Sequence, residues 1–215
     1  MATAKPYRVL IVDDHAIVRA GLKQILAEVP DIEVAGEADC ASQALRLARQ
    51  EPWDLVLMDI SMPDRSGLEA LELLRKEHPG IKVLMLSMHR ETQYAVRALK
   101  TGAAGYLNKQ SAPAQLVEAI RTVASGKKYI SAEVAQELAS QVSGERDVPP
   151  HETLSNREYQ TLCLLASGLT VTDIADKLSL SVKTVSMYRT RLLTKMQMKN
   201  NAELTHYAIR HGLVD

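Results

Sequence analysis

The chain has 215 residues, zero formal net charge, 46% hydrophobic and 24% charged residues, no Phe and one Trp. This suits one or two globular domains whose cores are built from Leu, Ile, Val, Met and Ala, and it excludes any case for nucleic acid from overall charge alone. Cys40 and Cys163 have no metal spacing and read as free thiols, and no apolar run approaches membrane-spanning length, so a cytoplasmic protein is expected.

The segment from Arg8 to Asp13 is an unalternated apolar run ending in Asp13 and Asp14, the pattern of a strand buried on both faces. Ile17, Gly21, Leu22, Ile25 and Leu26 then recur at helical spacing from about His15 to Ala27, and Pro30-Asp31 breaks the helix. Ile32 to Glu37 reads as a strand, Ala41 to Arg49 as an amphipathic helix, and Leu55 to Asp59 as a second fully buried strand followed by a turn with Pro63. Ser66 and Glu69 make a capping box for a helix through Leu74. Ile81 to Leu86 is a strand ending at Ser87, and Glu91 to Lys100 a helix stopped at Gly102. Ala103 to Leu107 is a strand ending before Lys109, and Pro113 to Ser125 a helix closed by Gly126.

Five alternations of strand and helix predict an α/β fold, a doubly wound five-stranded parallel sheet, followed by a second, smaller all-α domain. In a parallel sheet all strands end at one edge, where open α/β folds bind their ligands. Topology therefore gathers Asp13, Asp14, Asp59, Ser87 and Lys109. Three carboxylates stay ionised together only with a cation among them, and an oxygen-ligated Mg²⁺ suits them. With a lysine and a hydroxyl, the set could hold phosphoryl oxygens while a carboxylate attacks phosphorus. Taken singly, each residue has a plainer reading: helix caps for Asp13 and Asp14, a turn former at Asp59, a solvated surface amine at Lys109.

After a helix over about Ser131 to Gln141 and a polar stretch ending in Pro149-Pro150, the chain is helical. Capping boxes at Ser155/Glu158 and Thr170/Asp173 open two helices, and Ser181 caps a longer one through Met196. Two helices joined by a tight turn form a helix-turn-helix candidate. On the last helix Val185, Leu192, Leu193 and Met196 share one arc, with Tyr188 beside them. Lys183, Met187, Thr190 and Thr194 share the opposite arc, flanked by Ser186 and Arg191. From Ser181 to Lys199 there are five basic residues, Lys183, Arg189, Arg191, Lys195 and Lys199, and no acid. That local concentration matches DNA phosphates; an ordinary solvated basic face is the plainer alternative.

The order Asp-Asp, Asp with Met-Pro following, Ser, Lys resembles the receiver domain of two-component response regulators. The segment from Leu154 to Leu213 resembles the LuxR-type helix-turn-helix of NarL/FixJ-type regulators, through Leu154-Ser155, Arg157-Glu158, Gly168-Leu169, Ile174-Ala175, Lys183-Thr184-Val185 and Lys195-Met196. The resemblance implies a flavodoxin-like receiver over 1–125, a linker with a helix over 126–150 and a DNA-binding domain over 151–215. It implies Asp59 as phosphoacceptor, with Asp14, Asp59 and the Ser61 carbonyl as Mg²⁺ ligands and Asp13 acting through water. Ser87 and Lys109 would bind phosphoryl oxygens, and Tyr106 would be the switch aromatic. Ser186, Met187 and Thr190 would face base edges; Lys183, Tyr188, Arg191 and Lys195 would hold phosphates. The last helix, Ala202 to His211, resembles a dimerisation helix through Leu204, Tyr207 and Ala208, with packing inside its own domain as the rival. The implied partners are promoter DNA, a sensor histidine kinase, a second copy of the chain and RNA polymerase, with no membrane. Gln110 stands where many receivers have Pro, Tyr188 where His is frequent and Ser186 where Lys is frequent. Two other classes are weighed against this reading: an aspartate-nucleophile phosphohydrolase, and a constitutive DNA-binding protein with a phosphate-independent receiver.

Overall fold

The computed structural model describes residues 5–88, 92–142 and 149–214, and divides into two compact units at Gln136/Glu137. The first unit runs β1 (Tyr7–Val12), α1 (Ala16–Ala27), β2 (Ile32–Ala38), α2 (Ala41–Gln50), β3 (Leu55–Asp59), α3 (Gly67–Glu77), β4 (Lys82–Ser87), α4 (Thr92–Thr101), β5 (Gly105–Asn108) and α5 (Pro113–Ala124). The five strands are parallel in the order β2-β1-β3-β4-β5, the doubly wound sheet expected. The unalternated runs lie in its middle: every residue of β3 is buried, as are the last four of β1 and the last five of β4. β2 and β5, the edges, carry half-buried positions.

Alternation sorts the core onto two faces. Val9, Ile11, Leu55, Leu57, Leu84 and Leu86 pack with Leu26 of α1 and with Leu116, Ile120 and Val123 of α5. Their neighbours Leu10, Val56, Met58 and Met85 point the other way, where Leu68, Leu71 and Ala44 are also buried. The helix expected from about His15 to Ala27 is α1, Ala16–Ala27. Ile17 is 89% exposed, and the inward face of α1 carries Leu22, Ile25 and Leu26 instead. The start of α4 at Glu91, and His89 beyond the exposed Met88, lie outside the described residues.

The expected linker begins inside the first unit. Tyr129 forms a parallel bridge with Gly105, its N–H donating to the Ala104 carbonyl at 3.0 Å and its carbonyl accepting from Tyr106 N at 3.4 Å. The exposed side of β5 is thereby partly covered, a common treatment of an edge strand. Helix α6 (Ala132–Val142) spans the division between the units.

The second unit contains a 3₁₀ turn (Pro150–Thr153), α7 (Asn156–Ala166), α8 (Val171–Lys177), α9 (Val182–Met196) and α10 (Asn201–Arg210). All three capping boxes are formed, at Ser66/Glu69, Ser155/Glu158 and Thr170/Asp173, and Ser181 caps α9 by accepting from Thr184 N. Gly168 ends α7 at φ +87°, a left-handed position that suits glycine. Tyr159, Leu162, Val185, Leu192, Leu204 and Ala208 are wholly buried. The dimer-helix reading is therefore corrected for two of its residues. Leu204 and Ala208 pack within their own domain, and Ile209 is the exposed large apolar residue of α10. Tyr207 is half-buried and bonds to His151 Nδ1 at 2.8 Å.

Candidate functional site

Strand register assembles the pocket. Val12 lies beside Met58, Asp59 beside Leu86 and Ser87 beside Asn108, so Asp13, Asp59, Ser87 and Lys109 come off adjacent strand ends. The loops are held down by main-chain bonds: Asp13 N to Ala38 O at 3.1 Å, Ile60 N to Leu86 O at 3.1 Å and Lys109 N to Ser87 O at 2.8 Å. Asp13, Asp59 and Ser87 are buried.

The Lys109 ammonium sits between two acids, 2.6 Å from Asp13 Oδ2 and 2.9 Å from Asp59 Oδ2, with its side chain 6% exposed. Burial raises the Asp59 pKa above the ordinary carboxylate range and the Asp13 charge adds to this, outweighing the attraction of Lys109 and the Ser61 N–H bond. Burial pulls Lys109 the other way, but the Asp59 charge and the bonds from both carboxylates reverse this, so its pKa ends above the usual value and it stays an ammonium.

Donor atoms of Asp13, Asp14, His15 and Asp59 all lie within 4.8 Å of one another. Opposed ligands of an octahedral Mg²⁺ stand about 4.2 Å apart, so the three carboxylates could close on such an ion with small adjustments. The hard oxygen donors fit Mg²⁺; the imidazole is the one donor foreign to it. His15 Nδ1 lies 2.8 Å from Asp14 Oδ1 and 3.2 Å from Asp13 Oδ1, and its backbone N–H donates to Asp13 Oδ1 at 2.9 Å. Asp13 thus also serves as the cap at the start of α1, where His15 itself makes no side-chain cap. The other carboxylate oxygen of Asp13 is the one paired with Lys109.

Three residues at this rim were missed. His15 joins the acidic cluster, signalled only by its place after Asp13-Asp14. Gly67 opens α3 hard against β3: a Cβ there would lie 2.9 Å from the Asp59 carbonyl carbon and overlap its oxygen. Asp64, in the loop after Asp59, accepts from Ala41 N at 3.1 Å and Ser42 N at 2.9 Å, capping α2 from a distant segment. Nothing local in the sequence signals that last pairing. Tyr106 is half-buried on β5, and the Ser61 N–H bonds to the Asp59 carboxylate.

In the second unit, Lys183, Ser186, Met187, Thr190 and Arg191 lie on the exposed face of α9, with Tyr188 half-buried beside them. Thr190 Oγ1 donates to the Ser186 carbonyl at 3.0 Å, which leaves its lone pairs outward. Arg189, near the buried arc, donates to Asn201 Oδ1 at 2.6 Å. Lys195 reaches back 2.7 Å to Glu158, which is 3% exposed, so its charge serves the domain's own core as well as its surface.

This pocket and this helix pair define a class. Residues 9–121 match the response regulator receiver domain and residues 152–208 the bacterial regulatory proteins of the luxR family. Response regulator UvrY of Escherichia coli K12 is 44% identical over 206 residues, spanning 95% of this chain and 94% of UvrY. Response regulator GacA of Pseudomonas aeruginosa is 41% identical over 209 residues, spanning 97% and 98%. The structure of RcsB from Salmonella enterica serovar Typhimurium, bound to promoter rprA with the phosphomimetic BeF3-, shares 25% identity at a TM-score of 0.65, covering 94% of this chain and 98% of RcsB. The chain belongs to the response regulators, with a receiver domain and a LuxR-type DNA-binding domain.

Proposed function

We propose that this response regulator is switched by phosphorylation of Asp59 and acts as a transcription regulator. The observation that carries this is the Lys109 ammonium held between the Asp13 and Asp59 carboxylates at the strand ends. An Asp59 oxygen attacks the phosphorus of a phosphohistidine on a sensor histidine kinase; the P–O bond forms as the P–N bond breaks, and the imidazole leaves with a proton. Asp14, Asp59 and the Ser61 carbonyl would hold Mg²⁺, with Asp13 beside them, and the ion would neutralise charge on the phosphoryl oxygens. Lys109 favours the ionised form of Asp59 against its burial and then moves its charge to the phosphoryl group. The Ser87 hydroxyl donates to another phosphoryl oxygen. Its movement opens space for Tyr106 to turn inward, biasing a two-state surface. Because Tyr106 and Tyr129 share a main-chain hydrogen bond, the motion reaches the start of the linker directly.

That change promotes dimerisation, and the dimer presents two α9 helices to half-sites about one helical turn apart. Ser186, Met187 and Thr190 meet base edges; Lys183, Tyr188, Arg191 and Lys195 hold phosphates. These short side chains make few bidentate base contacts, so DNA shape carries part of the specificity. The RcsB complex, a relative on promoter DNA with a phosphomimetic, supports this reading. At the promoter the dimer meets RNA polymerase. The protein works in the cytoplasm; among the described residues no helix is long and apolar enough to cross a membrane. It catalyses only its own phosphotransfer and dephosphorylation. Aspartate-nucleophile phosphohydrolases of the haloacid dehalogenase type usually place a second Asp where Ser61 stands, which weighs against a turnover enzyme.

The test is labelling by acetyl phosphate with Mg²⁺. Wild type gains an acyl phosphate and Asp59→Asn does not; equal labelling of the variant refutes the assignment. Operator selection with and without phosphorylation, at stated salt, then gives the site and half-site spacing. Equal affinity in both states would favour constitutive binding.

A further inference from the structure

The opposite edge of the receiver sheet, where the strands begin, carries a second concentration of charge of the other sign. A cavity of about 200 Å³ opens there between the turn before β4, the turn before β5 and the residues following α5. Arg75, Lys82, Lys127 and Lys128 line it, and no carboxylate does. Among the described residues none of the four has an acidic partner. Arg75 makes only a long bond to the Pro79 carbonyl, 3.5 Å, and Lys128 donates to the Ala103 carbonyl. The room for Arg75 is built in: Gly102 sits at φ +106°, and a Cβ there would come 2.9 Å from the Arg75 Nε. Burial, with the nearby Arg75 charge added, lowers the Lys128 pKa, so these cations already repel one another.

Four solvated surface cations on separate elements would need no explanation. Here Lys82 is half-buried while Arg75, Lys127 and Lys128 are exposed, and four cations lining one recess without a counter-charge form a site for a compact anion carrying several charges. The volume is below the range of about 300–1,000 Å³ typical of whole drug-sized ligands, so it takes the charged end of a molecule rather than a ring system. We propose that this recess binds a diphosphate group, either as inorganic pyrophosphate or as the end of a nucleoside diphosphate. Arg75 offers a planar fork to one phosphoryl group, and Lys82, Lys127 and Lys128 act as point charges around the other. Binding there would fasten the start of the linker to the edge of β5, away from Asp59. It would be a second input to the receiver, independent of phosphorylation.

Calorimetric titration of the full-length protein, at fixed ionic strength and without divalent metal, tests this. Pyrophosphate is expected to bind, with orthophosphate and sulfate about tenfold weaker or more. The double variant Arg75→Gln/Lys82→Gln should weaken pyrophosphate by about tenfold or more, and Arg75→Gln/Lys127→Gln likewise. Thermal melting confirms that each variant is folded. Asp59→Asn and the recognition-helix variant Lys183→Gln/Arg191→Gln should bind as wild type does, which separates this site from the phosphoacceptor pocket and the DNA face. A nucleoside diphosphate binding as tightly as pyrophosphate or tighter assigns the nucleotide as ligand; weaker binding assigns the free anion. Equal affinity for sulfate, unchanged binding in both recess variants, or loss in the recognition-helix variant overturns the proposal.

Discussion

Gly67 and the Asp59 carbonyl are in contact that no larger residue could share, because a Cβ on Gly67 would overlap the carbonyl oxygen. The same glycine donates its N–H to the Ile60 carbonyl at 2.9 Å, so the first turn of α3 is pinned to the strand end that carries the acid. The Ser66/Glu69 capping box then sets where that helix begins. Replacing Gly67 by Ala should cost about 1–3 kcal/mol by overpacking. It should also slow acetyl-phosphate labelling by displacing the Asp59 backbone. Chemical denaturation and labelling rate check the two effects; an unchanged midpoint would show that the loop yields freely.

Lys109→Met should expose how the pocket is balanced. It leaves Asp13 and Asp59 as two buried acids without their shared cation, a loss of about 3–5 kcal/mol when one partner of a buried pair is removed. Without the ammonium, the Asp59 pKa rises further, so the deficit should shrink as the pH falls and the pair takes up a proton. Added Mg²⁺ should restore part of the stability at neutral pH. Melting curves across pH, with and without the ion, read both; a variant as stable as wild type at neutral pH would contradict the arrangement.

Asp64 holds the N-terminus of α2 from another segment. Burial alone would raise its pKa, but the bonds from Ser42, Ala41 and Arg65 more than reverse this, and it ends below the ordinary carboxylate value. A lowered folded pKa contributes stability above the unfolded value that fades as pH falls through the folded one. Asp64→Ala should therefore cost about 1 kcal/mol at neutral pH, with Asp64→Asn losing less. The difference between wild type and alanine variant should narrow in strong acid. Equal stability of the two at neutral pH would remove Asp64 as a cap.

Two lysines of α9 should separate by assay. Lys183 is exposed and, among the described residues, has no acidic partner, so Lys183→Ala should leave the melting temperature unchanged, weaken operator and non-operator DNA alike and reduce the salt slope by about 0.9. Lys195 is paired with the buried Glu158, whose pKa burial would raise but whose bonds to Lys195 and Ser155 lower it. Lys195→Ala should lower thermal stability as well as DNA affinity, and Glu158→Gln in the same chain should recover part of the stability. If Lys195→Ala melted like wild type, the ion pair would be negligible.

What the sequence determined by itself was the order and kind of the elements, which depend on near neighbours in the chain. The unalternated runs ending at Asp13, Asp59 and Ser87 named the central strands, because burial on both faces leaves no polar position. Capping pairs three residues apart named the starts of α3, α7 and α8, and the acid-free stretch of α9 marked one charged face. Tertiary structure alone decided which charge meets which. Lys109 choosing Asp13 as well as Asp59, Asp64 serving α2, Lys195 turning to Glu158, Tyr129 joining β5 and Leu204 facing inward all join residues brought together only by folding. The reason is physical: period and capping are written into a few consecutive side chains, whereas a buried ion pair or a close glycine contact depends on the register and packing of elements that the chain separates.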